Sequence, residues 1–170
     1  DVGIAIIVNS EEGALRRGLM YELLDHYIDQ PFHDWPAKLD AFLAASRERG
    51  RAAIAAIKDA PAPVGPSLPL ANYAATYRDP WYGDIKVEHR GSGLWINFTT
   101  TPRMEGRLVH YQYDTFRTEF TDPALEPALV TFQLDAQGKV QRAAMQAASP
   151  LADFSYNYRD LDLVPVEETE

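Results

Sequence analysis

Six serines, four histidines and a cluster of aromatic rings are the side chains of this 170-residue chain that could do chemistry. An acyl-transfer centre of the Ser-x-x-Lys type needs a lysine one helical turn beyond the nucleophile, close enough to take its proton. Ser10, Ser46, Ser67, Ser92, Ser149 and Ser155 are followed three residues later by Gly13, Arg49, Leu70, Trp95, Ala152 and Tyr158, so none fits. Ser155-Tyr156-Asn157 matches Ser-x-Asn and His89-Arg90-Gly91 matches His-x-Gly. The first lies in a predicted strand and the second enters a hairpin turn, the wrong setting for either motif. His26, His33, His89 and His110 form no His-x-x-x-His pair and the chain has no Cys. No catalytic residue and no metal ligand is therefore assigned, and no cofactor is implied.

Binding is the chemistry that remains. His110, Gln112 and Asp114 share one parity in a strand-like run and could form a polar line on one face, the same pattern an exposed strand face would show. Trp95, Tyr111, Tyr113 and Tyr156 add aromatic surface in the same half of the chain. Such rings either fill a small barrel or hold one apolar or peptide-like ligand at its mouth, with tyrosine hydroxyls and His110 orienting it. His110, Tyr111, Tyr113, Asp114, Trp95 and Tyr156 are the candidate ligand-binding residues. Trp81 and Tyr82 fall in a loop, and they are the candidates for contact with another domain.

These residues need elements to position them. Residues 2–8 are a continuous apolar run, the pattern of a strand buried on both faces of a larger sheet. Ser10 stands at an N-cap position before Glu11 and Glu12, and Leu15, Leu19, Leu23 and Tyr27 recur at helical spacing, so a helix is predicted over about 11–28. Asp34 ahead of Trp35-Pro36 starts a second helix, with Leu39, Phe42, Leu43, Ile54 and Ile57 on its apolar face. Residues 59–69 read DAPAPVGPSLP, an extended linker with too many prolines for a helix or a central strand. Beyond it the hydrophobic period becomes two. Strands are predicted at 73–77, 84–89, 94–99, 107–113, 115–121, 129–134, 140–147 and 154–158. Turn residues at Arg90-Gly91-Ser92-Gly93 and Asp135-Ala136-Gln137-Gly138 supply glycines for positive φ. The fold class is α+β, two N-terminal helices followed by an antiparallel barrel or sandwich of about eight strands.

Charge narrows the partners. Sixteen basic against 25 acidic residues give a net charge of −9, which disfavours nucleic acid because phosphate contacts need a basic face. No apolar run approaches the roughly 20 residues of a membrane-spanning helix. The chain starts at Asp1 with a strand pattern almost at once, which reads as a piece of something longer, and that strand could pair with a second copy.

Three stretches carry a family resemblance: DPWYGDIKVEHRGSGLWINF from Asp79, LVHYQYDTFRTEF from Leu108 and ADFSYNYRDLDL from Ala152. Together they resemble the lipocalin-like C-terminal domain of unknown function that is appended to β-lactamase-related, penicillin-binding-protein-like serine hydrolases. The segment GIAIIVNSEEGALRRGLMYELLDHYID is similar to the last strand and C-terminal helix of such a hydrolase domain. The resemblance implies a hydrolase remnant over 1–30, a helical connector and linker over 31–69, and a lipocalin-like barrel over 70–170. It implies a non-catalytic accessory role beside an upstream hydrolase domain of the same parent chain, in a periplasmic or extracellular setting. A ligand-binding module with its own barrel-mouth site is the alternative.

Overall fold

The computed structural model describes residues 2–10, 12–59, 64–152 and 155–166. The chain divides into two compact units, 1–50 and 51–170, with the boundary inside the second helix.

In the first unit, α1 spans Gly13–Tyr27 and α2 begins at Trp35 and runs to Asp59. Asp34 caps α2 as expected, its Oδ1 accepting the Ala37 amide at 3.0 Å. The Trp35 indole N–H donates to Asp25 Oδ2 at 2.6 Å and its ring meets Tyr21 edge-on at 5.4 Å, which joins the two helices. Gly18 lies so close to Pro36 that a Cβ there would stand 2.4 Å from the proline nitrogen. Two expectations are corrected. Glu12, not Ser10, occupies the N-cap of α1, and no side chain caps it. Residues 2–8 form no strand. A doubly apolar strand needs a neighbour along each edge, and among the described residues none pairs with this segment, so Val2 and Ile7 remain exposed.

The second unit is a closed barrel of eight antiparallel strands in sequence order: β1 Ala75–Asp79, β2 Gly83–Arg90, β3 Gly93–Phe98, β4 Glu105–Gln112, β5 Thr115–Phe120, β6 Ala128–Leu134, β7 Val140–Ala147 and β8 Asp162–Pro165. Closure comes from β8 returning to β1, with Tyr77 opposite Pro165 and Arg78 opposite Val164. The period-two pattern explains the inner face: Ile85, Val87, Leu94, Ile96 and Phe98 are buried while Lys86, Glu88 and Trp95 alternate with them. Tyr73, at the end of a 3-10 turn over Leu70–Tyr73, enters the interior beside Tyr77, Phe116 and Phe132, with ring centroids 5.0–5.8 Å apart. The interior there is packed with side chains.

The closing strand is the main correction. It lies at Asp162–Pro165 and not at 154–158. Phe154 falls outside the described residues, and Tyr156 and Tyr158 do not pair as strand residues. Their hydroxyls donate to the carbonyls of Ala124 (3.2 Å) and Glu126 (2.7 Å), and the chain then turns through a 3-10 turn over Tyr158–Asp160. The predicted first strand also starts late, at Ala75, because Tyr73 belongs to the preceding turn.

Candidate functional site

The barrel has two ends, and the sequence candidates divide between them. At one end lie the β2–β3, β4–β5 and β6–β7 turns with the linker segment 64–74. The line His110, Gln112, Asp114 is broken there by a register shift between His110 and Gln112 and by Tyr113 at φ 51°. His110 stands opposite Phe116 on the inner face, its ring 5.4 Å from that phenylalanine. Its Nε2 lies 2.7 Å from the Tyr113 carbonyl oxygen. A carbonyl only accepts, so that nitrogen carries the proton and is not free as a base. Asp114 accepts from the Ser67 amide and hydroxyl, both at 2.9 Å, and from the Tyr73 hydroxyl. Burial opposes ionisation of Asp114, but these donors and the nearby His110 outweigh it and hold the carboxyl below its ordinary range. Burial, and then the bond to Asp114, push the Tyr73 hydroxyl up to about 12. This cluster therefore fastens the linker to the β4–β5 turn, and the Val64 carbonyl accepting the Tyr113 amide at 3.2 Å adds to it. Tyr113 itself is exposed. Trp95 lies on the outer face with the Arg90 guanidinium 5.1 Å from its ring centroid, and Tyr111 is the half-buried extra residue at the register shift.

At the other end lie the β1–β2, β3–β4, β5–β6 and β7–β8 connections. These bring Trp81, Tyr82 and Tyr156 to one end, with Asn157, weighed in the sequence only as part of a rejected Ser-x-Asn match, and Asp160, which sequence reasoning passed over. One cavity of about 220 Å³ is lined by Tyr82, Phe98, Met104, Leu125, Tyr156 and Leu161 among others. A second depression, of about 310 Å³, is lined by Trp81, Tyr82, Asn157 and Asp160. Trp81 is 89% exposed.

Asp79 builds this end, and it too was missed. Its side chain, 3% exposed, accepts the amides of Trp81 and Tyr82 through Oδ1 and of Asp162 through Oδ2, each at 2.8 Å. Burial would raise its pKa, yet the amides of Asp162, Tyr82 and Trp81 together bring it below the ordinary value. One carboxylate thus pins the aromatic turn and the start of β8 to each other. The Asp-Pro-x-x-Gly turn chemistry of residues 79–83 was the available signal, with Gly83 at φ +76°.

Among the described residues no three His, Asp or Glu side chains converge as a metal site would require, and no helix is long and apolar enough to cross a membrane. No curated protein and no solved structure matches the chain. Residues 59–165, more than half of the chain, match the model of the family described as a domain of unknown function, DUF3471, and the chain belongs to that family.

Proposed function

We propose that the barrel is a non-catalytic accessory domain of a β-lactamase-related serine hydrolase, and that it shapes substrate access through its loop end. The observation that carries this reading is the commitment of the polar groups best suited to chemistry. His110 is bonded through Nε2 to the Tyr113 carbonyl within the β4–β5 turn, and Asp114 is taken up by the hydrogen bonds that fasten the linker. The interior beside them is filled by rings, and the accessible cavities cluster among loops. Such a module recognises rather than reacts. The resemblance of the Asp79, Leu108 and Ala152 segments supports the link to an exported hydrolase, and with it a periplasmic or extracellular setting.

The test is a deletion in a protein where this chain follows a Ser-x-x-Lys domain. Removing residues 70–166 should lower kcat/KM on a polymeric or peptide substrate by about tenfold while leaving a small chromogenic β-lactam or ester within about twofold, the signature of lost remote binding. Unchanged kinetics on both substrates, or an equal loss on both, would sink the proposal.

A second reading rests on the 220 Å³ cavity. The Tyr156 and Tyr158 hydroxyls are tied to main-chain carbonyls, so these residues offer ring surface to a small apolar or peptide-like ligand.

A further inference from the structure

We propose that Trp81, Tyr82, Asn157 and Asp160 form a carbohydrate-binding subsite that takes one neutral sugar ring of a glycan chain. This goes beyond the accessory reading and does not depend on it. Trp81, 89% exposed, borders the depression and offers a large apolar ring face to whatever enters it. The backbone of the turn that carries this face is held by hydrogen bonds. The Trp81 and Tyr82 amides are bonded to the buried Asp79 carboxylate, the Tyr82 carbonyl accepts the Thr100 hydroxyl at 2.7 Å, and the same Asp79 holds the Asp162 amide just beyond Asp160. The backbone of the aromatic turn and the backbone just beyond Asp160, about 80 positions apart in sequence, are therefore tied to one carboxylate, which lowers the backbone part of the ordering cost of binding.

The lining selects the ligand class. A sugar ring presents a C–H face, slightly positive, that stacks on the negative face of an indole or phenol ring. Around its edge are hydroxyls that both donate and accept. Asn157 offers two donors and an acceptor and Asp160 offers acceptors, and among the described residues neither side chain has a hydrogen-bond or ion-pair partner. The depression, about 310 Å³, has the size of small-molecule sites, which start at roughly 300 Å³. No lysine or arginine lines this depression itself; Arg159 lines the adjoining one, which shares Asn157 and Asp160 with it. A protein partner is a poorer fit. The core of a protein interface is depleted in charge, whereas an exposed carboxylate and an amide border this tryptophan.

The experiment is calorimetric titration of the full chain with chitotetraose, cellotetraose and maltotetraose. At least one should give saturable heat with a Kd of about 0.1–1 mM. Trp81→Ala should weaken that binding at least about tenfold and Trp81→Phe, which keeps a ring, by no more than about threefold. Asp160→Ala should weaken it as well. Trp81 is exposed, so its variants should melt as the parent does, and a matched melting curve excludes misfolding as the cause. The proposal is overturned if no glycan gives saturable heat, if Trp81→Ala binds like the parent, or if Trp81 proves to matter only for self-association measured by sedimentation. These outcomes are separate from the deletion kinetics, so either proposal can fail alone.

Discussion

Asp79 and Asp114 are carboxylates at opposite ends of one barrel, each holding a connection in place by accepting several donors. Both have pKa values below the ordinary carboxylate range in the folded state. A depressed folded value means that folding favours the ionised form. The stabilisation is then fully present above the unfolded value of about 3.9 and is lost as pH falls through the folded values. Urea midpoints should therefore be level above about pH 5 and fall steeply below about pH 4. Asp79→Asn should cost about 2 kcal/mol at neutral pH, because the amide that replaces the carboxylate loses charge-assisted bonds to buried amides. It should also flatten the acid limb; an unchanged acid limb in that variant would show that Asp79 plays no such part. The parity of His110, Gln112 and Asp114 was legible in the sequence, and it led to a possible shared polar face. The structure instead shifts the register between His110 and Gln112, and Asp114 turns to Ser67 and Tyr73, a contact over more than 40 positions that no local pattern announces.

At the scale of elements, alternation was the dependable signal. Ile85 and Val87 against Lys86 and Glu88, and Leu94, Ile96 and Phe98 against Trp95 and Asn97, gave β2 and β3 with the correct inner face. The same signal misled at Tyr156 and Tyr158, which alternate as strand residues would. Tyrosines alternate there because two hydroxyls reach loop carbonyls, whereas β8 is only four residues long and has one fully buried side chain, Leu163. Residues 2–8 misled for the opposite reason: composition states what a segment could bury, not whether a partner is beside it. Packing between strands also sets limits invisible to periodicity. Gly106 in β4 sits where a Cβ would come within 2.2 Å of the Glu119 carbonyl oxygen and 2.6 Å of the Phe120 Cα. These are backbone atoms that cannot rotate away, so Gly106→Ala should destabilise the barrel by about 2 kcal/mol or more, read as a fall in melting temperature of roughly 10 °C. A melting temperature within a degree or two of the parent would mean that β4 and β5 are more widely spaced than described.

On the scale of the whole molecule, the division of labour follows from what each part can bury. The barrel closes on itself and packs its interior around Tyr73, Tyr77, Phe116 and Phe132, so the end with the 220 Å³ cavity and the exposed Trp81 is what it can offer to other molecules. The first unit is different in kind, with Leu15, Leu23 and Tyr27 exposed along α1. The family match begins at residue 59 and so takes in the proline-rich segment read as a linker ahead of the barrel. The loop end was less legible, because four connections far apart in sequence converge there and only Trp81, Tyr82 and Tyr156 carried side chains distinctive enough to be noticed. On the proposed accessory role, this chain recognises and does not react. The most direct measurement is intact-mass analysis of the purified chain after incubation with a fluorescent penicillin and a chromogenic ester, with turnover followed in the same samples. The account predicts an unmodified mass and hydrolysis no faster than in buffer; a stoichiometric acyl adduct on any of the six serines, or turnover that copurifies with the chain, would contradict it.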